Sequence, residues 1–358
     1  AGARAEAPPF LELRRAVVRP ALLPNWRGLR VRVLRLEGLR VRVNAYESGG
    51  DDLPALHLPA GGGEARIGRL VVEDAELVVD HRRVPLALDL PDVRGALASV
   101  RGTLAGQIAF AAGTVQVAGH PPLRLASSVD VRVGGGRAEV VSGRLQSDKT
   151  DVAYSGTLQL RGGLRGTFDL SGPVDLGVMD RHVFASGLGL SGHARYEGRL
   201  YVAGSSLELQ GRLAGTGGEF SGLAVPRYAG AVSWKQGRLA VRGLDLEALG
   251  GRARMDLDLP PPPGRVHLQA DVEGMDTEAL SGLVFAVDAA GLGAGASGRI
   301  DLSWPRGRNR EVTGTAGLDL LARGDGRTPL WGRLDWEAER GRQHLRHADL
   351  RTPSARAL

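Results

Sequence analysis

The stretch LRVRVLRLEGLRVRV, residues 29–43, sets the pattern of the chain. Leu29, Val31 and Val33 alternate with Arg30 and Arg32. Leu34 and Leu36, then Leu39, Val41 and Val43, resume the rhythm after short breaks. Successive side chains of a strand point to opposite faces, so this is a ribbon with one aliphatic and one charged face. The alternation returns at Val84, Leu86, Leu88 and Leu90, at Val129, Val131 and Val133, and at Leu207 and Leu209. It returns again at Leu239 and Val241, at Met255, Leu257 and Leu259, and at Val266, Leu268, Ala270 and Val272. Glycine-containing breaks recur at intervals of roughly 8–12 residues, which predicts antiparallel strands joined by tight turns rather than βαβ units. About 28 strands, each adding roughly 4.8 Å, are expected.

Helical periodicity is scarce. VDLGVMDRHVF (174–184) predicts a short amphipathic helix. MDTEALSGLVF (275–285) predicts another, with Asp276 or Thr277 as N-cap, and FLELRRAVV (10–18) a third that ends before Pro20. The PPPP run at 260–263 reads as a rigid turn between strands. Two segments resemble each other: Gly187 and Gly293 follow the short helices expected at 174–184 and 275–285, and Trp234 and Trp336 close GAVSW and GRLDW. The expected fold is therefore all-β, an elongated, curled antiparallel sheet built from repeated modules with a few short helices. Its expected divisions are an N-terminal segment over residues 1–165, a first module over 166–264 and a second over 265–358, truncated at its C-terminal end.

Composition narrows the chemistry. The 358 residues are 42% hydrophobic and include 53 glycines, enough apolar surface for a core and enough glycine for many turns. Cysteine is absent, which excludes disulfides, thiol nucleophiles and Cys-ligated metals. The net charge of +6 is carried almost wholly by arginine, since Lys149 and Lys235 are the only lysines. Asp and Glu interleave with Arg throughout, the pattern of a mixed-sign solvated face. No run approaches the ~20 apolar residues of a spanning helix, and no secretory signal pattern is present. The chain opens on Ala1 and stops at Leu358 within a strand-like pattern, so a segment of a longer protein is expected.

Candidate motifs carry little chemistry. GLGLSG (187–192) and GAGASG (293–298) fit G-x-G-x-x-G, but a strand follows each where a dinucleotide site needs a helix; both are expected to be turns leaving a helix. His344 and His347 are three apart, which on a regular strand puts them on opposite faces, unable to share an ion. Glu73 and Asp74 within VEDAELVVDH (72–81) read as a turn between two aliphatic runs, and SDKTD (147–151) as a hairpin tip. Aromatic residues make up 4% of the chain and form no cluster in sequence, which weighs against stacking platforms for nucleic acid or sugar. An enzyme is not expected, and neither is a cofactor or a metal.

So many one-sided strands demand something to cover their aliphatic faces. A closed sandwich is one solution. The other is a curled sheet whose apolar face accepts a greasy ligand. Each methylene removed from water is worth about 0.8 kcal/mol, so a two-chain phospholipid with about 30 methylenes faces over ~20 kcal/mol when it crosses water unshielded. An aliphatic trough removes most of that barrier without catalysis. The expected lining residues are Leu29, Val31, Val33, Leu207, Leu209, Leu239, Val241, Leu257, Leu259, Val266 and Leu268.

LRVRVLRLEGLRVRVNAYESGGDDLP (29–54) resembles the AsmA-like family, especially its TamB branch. So do GRLVVEDAELVVDHRRVPLALDLPDVRGAL (68–97), SGRLQSDKTDVAYSGTLQL (142–160), RLAVRGLDLEALGGRARMDLDL (238–259), VEGMDTEALSGL (272–283) and the closing DLRTPSARAL. The likeness lies in the order of elements over most of the chain. It implies a periplasmic, β-taco groove protein, held to the inner membrane by an N-terminal helix that this chain lacks, which conducts phospholipid between the inner and outer membranes. It further implies pairing with an outer-membrane barrel assembly protein through regions not in this chain. Nucleic acid is not an expected partner. Two other roles fit the same strands: a scaffold for outer-membrane protein assembly acting through sheet edges, and an extracellular polysaccharide-binding β-repeat.

Overall fold

The computed structural model describes residues 10–21, 30–45, 66–81, 86–117, 120–161, 164–184, 188–204, 206–220, 222–261, 263–278, 292–340, 342–354 and 356–357. The fold is all-β and mostly antiparallel. Its chain contacts divide it into two compact units: Ala1–Val174 with Glu197–Glu208, and Asp175–Tyr196 with Leu209–Leu358.

Unit 1 opens with β1 (Leu11–Pro20), β2 (Arg30–Ala45) and β3 (Arg66–His81). It continues through β4 (Leu86–Val100), β5 (Thr103–Val117), β6 (Leu123–Gly134), β7 (Arg137–Ser147), β8 (Thr150–Gln159) and β9 (Arg165–Asp175). Each strand pairs with the next, antiparallel in every case but one. The exception is β2 with β3, which run parallel, Leu34 opposite Leu70 and Val41 opposite Leu77. The region 10–18 is not the expected helix but the edge strand β1. Leu11, Leu13, Ala16 and Val18 stand opposite Val41, Leu39, Leu36 and Leu34 of β2, and this cross-strand apolar pairing outweighs the helical spacing.

The strands are longer and fewer than the sequence pattern predicts, because several of its breaks are bulges inside one strand. Asp74 is the clearest case. Glu73 and Asp74 do not make a turn: β3 runs unbroken past them, with Asp74 at φ 52°. Gly38, at φ 64°, lies beside it in β2, between the pairs Glu37–Glu73 and Arg40–Glu76. The register then shifts between Phe110 and Gly113 on β5 and between Val140 and Gly143 on β7. Bulges bend a strand and increase its twist, so the unit 1 strands are bent near their middles. True reversals use two-residue turns with both φ angles positive, as at Arg101–Gly102 and Gly135–Gly136, the type that matches strand twist. The hairpin tip expected at 147–151 is present between β7 and β8.

Unit 2 begins at the expected short helix. Here it is one α-turn, α1 (Leu176–Met179), running into a π-turn at Asp180–Phe184. Asp175 caps it, its carboxylate accepting the Val178 N–H at 2.9 Å. Then follow β10 (Ser191–Ala203) and β11 (Ser206–Phe220), each divided between the units. Next come β12 (Leu223–Lys235), β13 (Arg238–Ala248), β14 (Gly251–Leu259), β15 (Arg265–Asp276), β16 (Leu292–Pro305) and β17 (Thr313–Ala322). The chain closes with β18 (Thr328–Pro329), β19 (Trp331–Glu339), β20 (Arg342–Arg351) and β21 (Arg356–Ala357). From β12 to β17 each strand pairs antiparallel with the next; β17 pairs with β19, and β19 with β20. The two-residue β18 runs parallel to the start of β16.

The proline run turns β14 into β15, where Gly264 N–H donates to the Pro261 carbonyl and Arg306 donates to that of Pro260. The module boundary expected at 264 thus falls between two paired strands of unit 2. Of the helix expected over 275–285, Met275 and Asp276 instead end β15, residues 277–278 are helical, and 279–285 lie outside the described residues.

Candidate functional site

The strand registers carry apolar positions from strand to strand across unit 1. Val18, Leu34, Leu70, Leu97, Gly106, Val131, Val140, Gly156 and Phe168 are successive cross-strand partners through nine strands. Directly opposed residues share a face, so this is one apolar row. A second row runs Leu11, Val41, Leu77, Leu90. Leu97 and Val131 are buried, whereas Leu34, Leu70, Val140 and Phe168 keep intermediate exposure and Val18 is 53% exposed.

Glycines form part of the floor of this face. Side chains from three strands converge on Gly113, where a methyl group would meet Leu90, Phe110 and Leu125. The ring of Tyr154 covers Gly143, and Phe168 covers Gly156. Among these side chains the Tyr154 hydroxyl is the polar exception, and it is bonded to the buried Ser127 hydroxyl at 2.9 Å.

The reverse face is laced with ion pairs between neighbouring strands. Arg40 meets Glu76 at 2.6 Å, Arg35 meets Glu73 at 3.8 Å and Arg144 chelates Asp151. Unit 2 repeats the design with Arg238 and Asp258, and with Arg299 and Asp271. The hydrogen bond from Arg238 holds the Asp258 carboxyl below its ordinary value. These pairs are the mixed-sign solvated face that interleaved Arg and Asp/Glu predict.

In unit 2 the apolar face is packed. Leu239, Met255, Leu257, Leu259, Val266, Leu268, Val272 and Trp304 belong to one buried cluster, with Leu259 and Val266 at 1% and 0% exposure. Leu188, from the segment after the π-turn, is buried in the same cluster, and Leu190 packs against it. The Leu190 N–H donates to Asp180 at 3.2 Å, tying that segment to the π-turn.

The expected lining residues therefore fall into distinct settings. Leu239, Leu257, Leu259, Val266 and Leu268 are core, and Val241 packs half-buried against them. Leu207 and Leu209 are half-buried on β11. Val31 is buried opposite Ile67. Val33 stands between Arg19 and Arg69, so the apolar row passes through Leu34 instead. The register break between Arg19 and Pro20 accounts for this, since a bulge reverses the facing that simple alternation implies. Leu29 lies outside the described residues.

Other motifs take different places from those expected. GAGASG does not form a turn leaving a helix: residues 293–298 lie inside β16, with Ala294 and Ala296 fully buried. His344 and His347 are not on opposite faces. They stand opposite Glu337 and Asp335, which are two apart on β19, because the register shifts between Asp335 and Trp336. Both histidines are exposed, and no three His, Asp or Glu groups among the described residues are placed to hold a metal. No helix among them is long and apolar enough to cross a membrane.

Sequence inspection missed an ionic knot at one end of unit 2. Arg327 pairs with Asp276, Glu278 and Asp325, and Arg323 bonds Asp276 and the carbonyls of Gly250 and Gly274. Arg323 also borders a cleft of about 980 Å³, which includes Glu247, Arg252 and Glu273. These three are successive cross-strand partners of alternating sign, so their charges offset one another. Among the described residues, two buried side-chain polar groups lack hydrogen-bond partners, the Tyr196 hydroxyl and the Trp336 indole N–H; burial pushes the Tyr196 hydroxyl up to about 12. Comparison with family models, curated proteins and solved structures gave no match.

Proposed function

We propose that the chain is a non-catalytic carrier whose unit 1 face shields phospholipid acyl chains. The supporting observation is the apolar row from Val18 to Phe168, continuous through nine strands and still partly open to solvent. A row needed only for a core would be packed as Leu259 and Val266 are. Large accessible apolar surfaces on a folded chain mark binding sites, and aliphatic side chains without polar interruption suit acyl chains rather than sugars or bases. A curled groove of repeated modules, a periplasmic location and traffic between inner and outer membranes belong to the same proposal, and rest on the resemblance to the AsmA-like family.

The test is a photo-crosslinking amino acid at Leu70 or Val140, in cells fed labelled phosphate. Arg212 and His267, both exposed, serve as outward-facing controls. Phospholipid adducts at the first two positions and not at the controls are the expected result. Equal labelling at all four, or none, would sink the acyl-chain role.

The rival role as an assembly scaffold draws support from β1, an edge strand with Leu11, Leu13 and Val18 exposed. Its mark would be strand-to-strand crosslinks at Leu13 to a partner protein, without lipid adducts at Leu70.

A further inference from the structure

The two rims of the unit 1 sheet differ in charge. The registers bring Pro20, Val31 and Ile67 to one end of β1, β2 and β3. The turns at Arg101–Gly102 and Gly135–Gly136 return the chain to that same end, and β8 gives way to β9 there. Among the described residues within three of these strand ends, and at these turns, every charged side chain is arginine except Glu139, which pairs with Arg132 at 3.6 Å; Glu64, two residues before β3, lies outside the described residues.

Arg30, Arg101, Arg137, Arg161 and Arg165 are exposed, and none meets a carboxylate among the described residues. Further along the same strands the arrangement is the reverse, as the pairs Arg40–Glu76 and Arg144–Asp151 illustrate. By the same measure the far ends of β1 to β8 balance five acids, Glu12, Asp80 and Asp151 among them, against five basic residues, Arg14, Arg42 and Lys149 among them, within the described residues. The basic residues therefore concentrate along one rim, which at the usual strand spacing is roughly 40 Å long.

We infer that this rim docks the chain on an anionic phospholipid membrane. Aliphatic side chains interrupt the arginines: Val18 beside Arg19 is 53% exposed and Val100 beside Arg101 is 57% exposed. Cations alternating with small apolar groups match the boundary between lipid headgroups and acyl chains. A single-stranded nucleic acid would call for aromatic rings among the charges, and among the described residues within three of these strand ends the one ring is that of Phe168, which is taken up over Gly156 in the apolar row. Docking here does not depend on the acyl-chain role of the face. Crosslinking at Leu70 tests the face and vesicle binding tests the rim, so either can fail alone.

The experiment is flotation of the full chain with two kinds of vesicle, pure phosphatidylcholine and phosphatidylcholine with about one-third phosphatidylglycerol. The comparison is between the unaltered chain, the triple variant Arg101→Glu, Arg137→Glu, Arg161→Glu, and the far-rim variant Arg124→Glu, Lys149→Glu. All five positions are exposed, and an unchanged circular dichroism spectrum certifies the fold of each variant. The expected result is binding to the anionic vesicles alone, lost at about 1 M salt, where charges are screened beyond roughly 3 Å. The triple variant should bind at least about twentyfold more weakly, from roughly fivefold per charge, and the far-rim variant should bind like the unaltered chain. Equal binding to neutral vesicles, equal loss in both variants, or tighter binding to a single-stranded oligonucleotide than to anionic vesicles would overturn the inference.

Discussion

Gly143 and Tyr154 are direct cross-strand partners, and the ring of Tyr154 occupies the place where a side chain at 143 would begin. A methyl group there would come within 2.4 Å of the ring's Cζ. The ring covers bare backbone, and its hydroxyl reaches the buried Ser127 at 2.9 Å. Gly143→Ala should therefore destabilise the chain by about 1–3 kcal/mol through overpacking. Tyr154→Phe, which keeps the ring and loses the bond, should cost about 1 kcal/mol. Thermal unfolding of the two variants checks the order; a Tyr154→Phe loss larger than that of Gly143→Ala would show that the hydroxyl, not the ring's seat, fixes this contact.

The Arg238–Asp258 pair predicts a pH dependence. The bond from Arg238 lowers the Asp258 carboxyl in the folded chain relative to its ordinary value of 3.8. The folded state therefore binds that proton less readily than the unfolded state, and the pair's stabilisation is complete above the unfolded value. It is lost as pH falls through the lowered folded value. In Asp258→Asn this contribution vanishes. Melting temperatures measured from neutrality down to the acid range should converge for the two proteins at low pH, and a gap that persists undiminished would refute the assignment.

The two units should respond differently to a charge on their apolar faces. Leu268 is buried between Leu257 and Leu302, its cross-strand partners. An unpaired carboxylate there has no partner and no water, and Leu268→Asp should cost about 3–5 kcal/mol. Leu70, between Leu34 and Leu97, keeps partial exposure, so Leu70→Asp can hydrate its charge and should cost clearly less. Denaturant midpoints separate the cases. Equal losses would mean that the unit 1 face is as tightly covered as that of unit 2.

What the sequence made legible was the side-chain period. Alternation identified the all-β class, the polar run SDKTD the hairpin at 147–151 and helical spacing the short helix after 174, because each depends on neighbours in the chain. What it could not reveal was facing and partnership. One extra residue at a bulge reverses which side chains share a face, and so Val33 was assigned to the aliphatic side and His344 and His347 to opposite sides. Asp74 looked like a turn because Asp favours positive φ, but the parallel neighbour β2 bends beside it at Gly38 and the strand continues. Likewise, nothing local distinguishes Leu70 from Leu268. Leu188, distant in the chain, is buried in the unit 2 cluster that holds Leu268. The knot around Arg327 left no signal either, since its acids come from residues 276, 278 and 325.

Leu188 gives the last prediction its basis. It reaches the unit 2 cluster from the far side of a π-turn whose geometry depends on two carboxylates. Asp175 receives the Val178 N–H at 2.9 Å at the start, and Asp180 receives the Leu190 N–H at 3.2 Å at the end. Asp175 is buried, and the exposed His193 lies 3.6 Å from its second oxygen. Removing an N-cap of this kind costs about 1 kcal/mol, and here the loss should be local. Asp175→Ala should speed amide exchange at Val178, and Asp180→Ala at Leu190, while the amides of β14 and β15 keep their protection. If exchange rises equally in β14 and β15, the segment that carries Leu188 does not open by itself, and the unit 2 cluster and its cover unfold as one body.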